Sequence, residues 1–141
     1  MRISIINGPN LNLLGTREPE VYGNRSFEDF LQELKLKHSS VEFSYFQSNI
    51  EGELINELHR VGFSFDGILF NPGGFTHTSV ALGDAIVAIR TPVLEIHISQ
   101  VQAREDFRKI SFVSASCAGS ISGLGLRGYE LGVIYFTGLS T

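Results

Sequence analysis

The chain reads as an α/β protein built on a doubly wound parallel sheet. Short β-branched runs alternate with amphipathic helical stretches along its whole length, and each early run ends in an Asn, Gly or Pro turn. That alternation specifies a parallel sheet covered on both faces, and right-handed crossovers reduce the options to a doubly wound sheet. Size agrees: 141 residues, 43% of them hydrophobic, make a single domain, 1–141, large enough for a packed core.

The elements follow in order. Arg2 to Ile6 is β-branched and runs into Asn7-Gly8-Pro9, so it is a buried strand ending at a turn. Ser26 with Asp29 resembles a capping box, and Phe27, Phe30, Leu31 and Leu34 recur at helical spacing, predicting a helix to about Lys37. Val41 to Phe46 is the second strand. Asn49 is then the expected cap of a helix that presents Ile50, Leu54, Ile55, Leu58 and Val61 on one face and stops at Gly62. Gly67 to Phe70 is a third strand, ending in Asn71-Pro72-Gly73-Gly74. A third helix runs from Ser79 to about Ile89, and Pro92 opens a fourth strand, Val93 to Ile98. A helical turn is expected over Ala103 to Lys109, a weak fifth strand over Ser116 to Ser122, and a last helix over Arg127 to Phe136. This last helix is apolar on most sides and calls for a partner on its second face.

Composition narrows the function. With 15 acidic against 11 basic residues, the net charge of −4 leaves no general attraction for nucleic acid or an anionic membrane. One cysteine allows no internal disulfide and no CxxC pair, so a reducing cytoplasm is expected. The first strand begins at once, so no signal peptide is expected. The longest uncharged stretch, Ile110 to Leu126, is interrupted by serines and glycines and falls short of the ~20 apolar residues a membrane span needs. Charged residues are 18%, against about 25% in an ordinary domain, which points to oligomerisation.

In doubly wound sheets the ligand sits outside the carboxyl ends of the strands. Polar groups converge there: Asn7, Gly8, Asn10 and Asn12 after strand one; Asn71, Gly73, Gly74, Thr76 and His77 after strand three; Glu95, His97 and Ser99 at the end of strand four. Singly, these are ordinary turn and capping residues; together on one edge they mark a site. The connection from Leu13 to Arg25 exceeds the usual two to six residues and reads as a lid. It sets Tyr22 near Arg17 and Arg25, and positive charge favours tyrosinate, so Tyr22 is a candidate general base. The same feature also fits a surface tyrosine that anchors a loop.

Other chemistries find little support. No H-x-x-x-H or H-E-x-x-H pattern and no cysteine pair is present, so no metal is expected. Lys35, Lys37 and Lys109 lie away from Gly73-Gly74, which removes both a Walker-type nucleotide site and a Schiff base. Gly123-x-Gly125-x-x-Gly128 matches a dinucleotide fingerprint by letter, but no strand and no acidic residue about 20 positions on follow it. Cys117 reads as a small core residue. A phenol, two imidazoles, amide and hydroxyl donors and arginines remain, without a cofactor. That set suits proton abstraction beside a carbonyl, then acid-assisted loss of a hydroxyl.

These residues resemble the type II 3-dehydroquinate dehydratase family. The likeness rests on Asn7 to Gly15, Arg17-Glu18-Pro19, Val21-Tyr22-Gly23, Phe46 to Asn49 with Glu51-Gly52-Glu53, Asn71 to Gly74, Thr76 to Leu82, Glu95 to Ser99, Ala103 to Arg108, Gly123-Leu124-Gly125 and Gly128-Tyr129. It implies a flavodoxin-like sheet with strand order 2-1-3-4-5, and reversible dehydration of 3-dehydroquinate to 3-dehydroshikimate in the shikimate pathway by anti elimination through an enolate. By resemblance, Tyr22 is the base that takes the carbon-2 proton, with Arg17 favouring its ionised form. His97 is the acid that protonates the carbon-1 hydroxyl, Glu95 orients or tunes it, and Asn10 holds the water that stabilises the enolate oxygen. Ser99 and the Ile98 N–H would meet the substrate carboxylate. Asn71, His77 and Arg108, beside Gly73 and Gly74, would bind the ring, and Asp84 would complete a neighbouring subunit's site. The family's trimers associate into a homododecamer. Gln100 and Gln102 depart from the usual Asn and His, and Gly83 from the usual Arg. A flavodoxin-like binding module without turnover is the alternative; it has no need of an acid and base pair.

Overall fold

The computed structural model describes residues 1–16, 20 and 24–139. Five parallel strands, β1 (Arg2–Asn7), β2 (Glu42–Gln47), β3 (Gly67–Asn71), β4 (Val93–His97) and β5 (Gly119–Ser122), form one sheet in the order β2-β1-β3-β4-β5. Helices α1 (Phe27–Lys37), α2 (Glu51–Val61), α3 (Val80–Ala88) and α4 (Arg127–Gly138) cover it. The expected strand order is the observed one. Among the described residues no helix is long and apolar enough to cross a membrane.

Period-two alternation divides the core. Ile3 and Ile5 of β1, Leu69 of β3 and Leu94 and Ile96 of β4 face one side, against Phe27, Phe30, Leu31 and Leu34 of α1 and Tyr129, Val133 and Phe136 of α4. Ile6, Ile68, Phe70 and Val93 face the other, against Leu54, Leu58 and Val61 of α2 and Leu82, Ala85 and Ile86 of α3. Both faces of β3 are therefore apolar, which is why it reads as a continuous hydrophobic run, whereas β4 gives that second face only Val93 among its apolar residues. Period two has a consequence for chemistry: Glu95 and His97 share the α2–α3 side of the sheet with Val93.

The cap predicted at Ser26 is formed, and Ser79, the expected start of the third helix, is its N-cap. Ser26 Oγ accepts the Asp29 N–H at 3.1 Å, and Ser79 Oγ accepts the Leu82 N–H at 3.0 Å. The expected Asn49 cap is not formed. Asn49 Oδ1 instead accepts the backbone N–H of Asn10 and the side-chain amide of Gln47, while Ser48 Oγ takes the Ile50 N–H. Ile50 is the helix's exposed N-cap and no part of its buried face. The chain from Ala103 to Lys109 divides into two 3₁₀ turns, Val101–Ala103 and Asp106–Lys109, and β5 begins at Gly119 because Ser114–Ser116 is itself a 3₁₀ turn. The final helix runs two residues past Phe136. It buries Tyr129, Gly132, Val133 and Phe136 and exposes Leu131, Ile134 and Tyr135.

A buried polar bridge ties α4 to the strand ends. Tyr129 is fully buried, with its ring edge-on to Phe27 at 5.0 Å. Its hydroxyl donates to Asn7 Oδ1 at 2.7 Å and accepts from Asn71 Nδ2 at 3.0 Å, linking α4 to the ends of β1 and β3. Tyr129→Phe strands two buried amide groups at once, and each unsatisfied group costs about 1–3 kcal/mol. We predict a loss of at least about 1 kcal/mol, read as a lower urea midpoint with an unchanged denaturant slope; an unchanged midpoint would show that the bridge does not support the fold.

Candidate functional site

The loops after β1 and β3 press together at the carboxyl end of the sheet. Gly8 donates its N–H to Asn71 O at 2.7 Å, and a Cβ on Gly8 would lie 2.4 Å from the Pro72 carbonyl oxygen, so only glycine fits. Two residues on, Asn10 turns the chain with φ of 71°, the left-handed region that asparagine tolerates better than most residues. Among the described residues it is the only non-glycine there. This brings Asn10 to the edge of a cavity whose other walls come from the loops after β3 and β4.

Of the residues expected at the site, Asn10, Asn71, Gly73, Gly74, His77, His97, Ile98, Ser99 and Arg108 line this cavity, and Leu11, Leu13 and Leu14 supply an apolar wall. Arg104 joins them, with its guanidinium donating to Ser99 Oγ at 3.3 Å. Asp84 is exposed on α3 and is absent from the described lining of its own chain's cavity. Tyr22 and Arg17, the expected base and its partner, lie outside the described residues, as do Glu18, Pro19, Val21 and Gly23 of the expected lid.

Glu95 lies beneath the cavity floor. It is 1% exposed, and His97 is 7% exposed. His97 Nε2 is 2.7 Å from Glu95 Oε1. Thr76 Oγ1 donates to the same oxygen at 2.8 Å, Ser111 Oγ reaches both carboxylate oxygens at 3.2 and 3.3 Å, and Ser114 Oγ donates to Oε2. Burial opposes ionisation of Glu95, but hydrogen bonds from His97, Ser114 and Thr76, with the imidazole charge, outweigh it and hold the carboxyl group below its ordinary range. A carboxylate only accepts, so Nε2 of His97 carries the hydrogen and Nδ1 is the nitrogen left for the cavity. His77 is fixed in the opposite sense. Its Nδ1 lies 2.7 Å from the Ile110 carbonyl oxygen, which leaves Nε2 for a ligand, and its ring stacks on that of His97 with centroids 6.4 Å apart.

Asn71 is nearly spent on structure: Oδ1 accepts the Gly73 N–H at 3.1 Å and Nδ2 gives one hydrogen to Tyr129, leaving one N–H for a ligand. Arg108 is held over the Phe107 ring at 4.9 Å and donates to Glu105 at 2.5 Å. Cys117 is half-buried beside the α2–α3 core, and burial together with the Glu95 charge pushes its thiol up to about 12. Gln100 accepts from Ser122 at 3.4 Å, and Gln102 is exposed. Among the described residues no cluster of three or more His, Cys, Asp or Glu is arranged to hold a metal. Sequence reasoning missed Ser111, Ser114 and Arg104. The serines sit in a Ser- and Gly-rich stretch that reads as loop, and only their three-residue spacing, one helical turn, hints at a shared target.

A flavodoxin-like sheet with an imidazole–carboxylate pair at its carboxyl edge defines the class of protein. The profile of the family described as Dehydroquinase class II matches residues 1–137. The 3-dehydroquinate dehydratase of Fusobacterium nucleatum is 49% identical over 140 residues, covering 96% of this chain and 95% of that one. The type II dehydroquinase structure from Butyrivibrio crossotus superposes with a TM-score of 0.88 at 40% identity over 97% of each chain, and that from Propionibacterium acnes with 0.88 at 36% over 95% and 94%. The chain belongs to the class II dehydroquinase family.

The unfolded-state pKa of a glutamate is about 4.3, and that of folded Glu95 is lower, so the unfolded chain takes up the proton first as pH falls. The stability contributed by Glu95 is therefore complete above that range and is lost as pH drops through the folded value. We predict that the urea midpoint of the wild type declines below about pH 5 and that Glu95→Gln flattens this decline. Equal acid slopes in both proteins would assign the acid sensitivity to other carboxylates.

Proposed function

We propose that this chain is a hydro-lyase that dehydrates 3-dehydroquinate to 3-dehydroshikimate in the shikimate pathway, with the cavity at the carboxyl edge of the sheet as its active site. Family membership over nearly the whole chain supports the reaction. The single observation that supports the site is the buried Glu95–His97 pair, with Nε2 held by the carboxylate and Nδ1 left to the cavity.

In the proposed mechanism Tyr22, as phenolate favoured by Arg17, removes the proton from carbon 2. The electron pair moves into an enolate, whose oxygen is stabilised by a water held on Asn10. His97 then delivers a proton to the carbon-1 hydroxyl, which leaves as water, and the carbon–carbon double bond of the product forms. Glu95, 2.7 Å from Nε2, orients the imidazole for that transfer. Ser99 and the Ile98 N–H receive the substrate carboxylate, while His77 Nε2, the remaining Asn71 N–H and Arg108 meet the ring hydroxyls over Gly73 and Gly74. No cofactor or metal enters the scheme. We further propose assembly into trimers and then a homododecamer, in which Asp84 reaches the cavity of a neighbouring subunit; its exposure on α3, away from its own cavity, fits that role. The proposed compartment is the cytoplasm, in keeping with a single cysteine.

The reaction is tested by mixing the protein with 3-dehydroquinate in chelator and following the near-ultraviolet absorbance of the conjugated product. Growth of that signal is expected; its absence with folded, assembled protein would favour a binding module. Tyr22→Phe and His97→Asn should each lower kcat by about 10²–10⁴-fold. His97→Asn should still exchange deuterium from solvent into carbon 2, because only the second step is lost. Near-normal kcat in either variant would remove that residue from its role. Asp84→Ala should keep the assembly by light scattering yet raise KM, whereas a fully active isolated subunit would contradict a shared site.

A further inference from the structure

Both cavity imidazoles are held by one short piece of chain. The segment from Ile110 to Ser114 supplies the carbonyl that receives His77 Nδ1 and two of the hydroxyls that bind Glu95, the carboxylate that holds His97. It is seated against the loop after β3, because Phe112 N donates to Thr76 O at 2.8 Å, and Thr76 itself donates to Glu95. Neither Ser111 nor Ser114 lines the cavity.

The Ser111 hydroxyl is not free to turn. Ser111 Oγ accepts the backbone N–H of Val113 at 3.2 Å and of Ser114 at 3.0 Å. A hydroxyl has two lone pairs and one hydrogen, so with both lone pairs engaged its hydrogen points only at Glu95. With His97 Nε2, Thr76 and Ser114, this gives the carboxylate four donors, in a place where an unpaired charge would be far too costly to keep.

Position 83 accounts for how the segment fits. Gly83 is buried in α3, and a Cβ there would lie 2.4 Å from the Phe112 carbonyl oxygen. The obstacle is backbone, so the segment must move if any side chain is placed at 83.

We propose that Ile110–Ser114 is a positioning clamp for the reaction, in which Ser111 and Ser114 orient His97 through Glu95, the Ile110 carbonyl orients His77, and the bare backbone of Gly83 allows the clamp to seat. The clamp rests on the dehydratase reading for its kinetic consequences, while its effect on the imidazoles is independent of turnover. The ionisable groups around Glu95 are His97 on its own strand, Cys117 on the approach to β5, and His77 across the His97 ring, with Arg104 and Arg108 on the cavity wall.

The test compares wild type with the double variant Ser111→Ala/Ser114→Ala, the single variants Ser114→Ala and Ser114→Thr, and Gly83→Ala. In the double alanine variant we expect kcat to fall by about 10-fold or more with KM within about twofold. The acidic limb of its kcat profile should move to higher pH, since Glu95 with fewer donors protonates sooner. Ser114→Thr, which keeps the hydroxyl, should restore most of kcat relative to Ser114→Ala. Gly83→Ala should lower kcat and raise KM together, because His77 moves with the segment. The independent readout is the proton NMR signal of His97 Nε2–H, which should be strongly downfield in wild type and shift or exchange faster in the double variant. If wild type fails to turn over 3-dehydroquinate but the imidazole signal responds to the serines, the reaction assignment fails and the clamp stands. If wild type is active and the folded double variant keeps its kcat, pH profile and imidazole signal, the clamp is refuted.

Discussion

The organisation of the site depends on one buried charge. Glu95 is enclosed under the carboxyl edge of the sheet, and a carboxylate in that position must find donors or lose its charge. It finds them on three parts of the chain: His97 on β4, Thr76 in the turn after β3, and Ser111 and Ser114 in the loop before β5. Each donor is thereby fixed relative to the others. The carboxylate sets the tautomer of His97 and anchors two loops against the strand end, so that the electrostatic needs of one side chain shape much of the cavity floor.

A second network performs the same service on the far side of the sheet. Tyr129 connects Asn7 and Asn71, the last residues of two neighbouring strands, and Asn71 in turn holds the Gly73 N–H. The floor is therefore supported from α4 through neutral hydrogen bonds and from the α2–α3 side through a charge. Such paired support leaves the exposed Asn10 turn, the imidazoles and the arginines as the groups that meet a ligand, each on a backbone that is already satisfied.

Much of this was legible in the linear chain because period and punctuation are local properties. Phe27, Phe30, Leu31 and Leu34 repeat at helical spacing, and the strands end in turn residues, so element type and order follow from neighbours a few positions apart. Convergence of Asn10, Asn71, His77 and His97 on one edge follows from parallel strands having all their carboxyl ends together. Asn49 illustrates the limit. Its residue type fits a helix cap, but the amide is drawn across to Asn10 and Gln47, and no local rule weighs a cap against a partner 39 residues away.

The sequence by itself determined the α/β architecture, the strand order implied by its family likeness, and the edge on which chemistry gathers, since all of these rest on short-range periodicity and on motif residues in order. Only the tertiary structure decided which polar groups answer the Glu95 charge, which nitrogen of each histidine faces the cavity, and why glycine stands at position 83. Except for the Glu95–His97 contact within β4, those are questions of partner choice between segments 15 or more residues apart in the chain, and such partners are selected by desolvation and close packing, which exist only once the chain has folded.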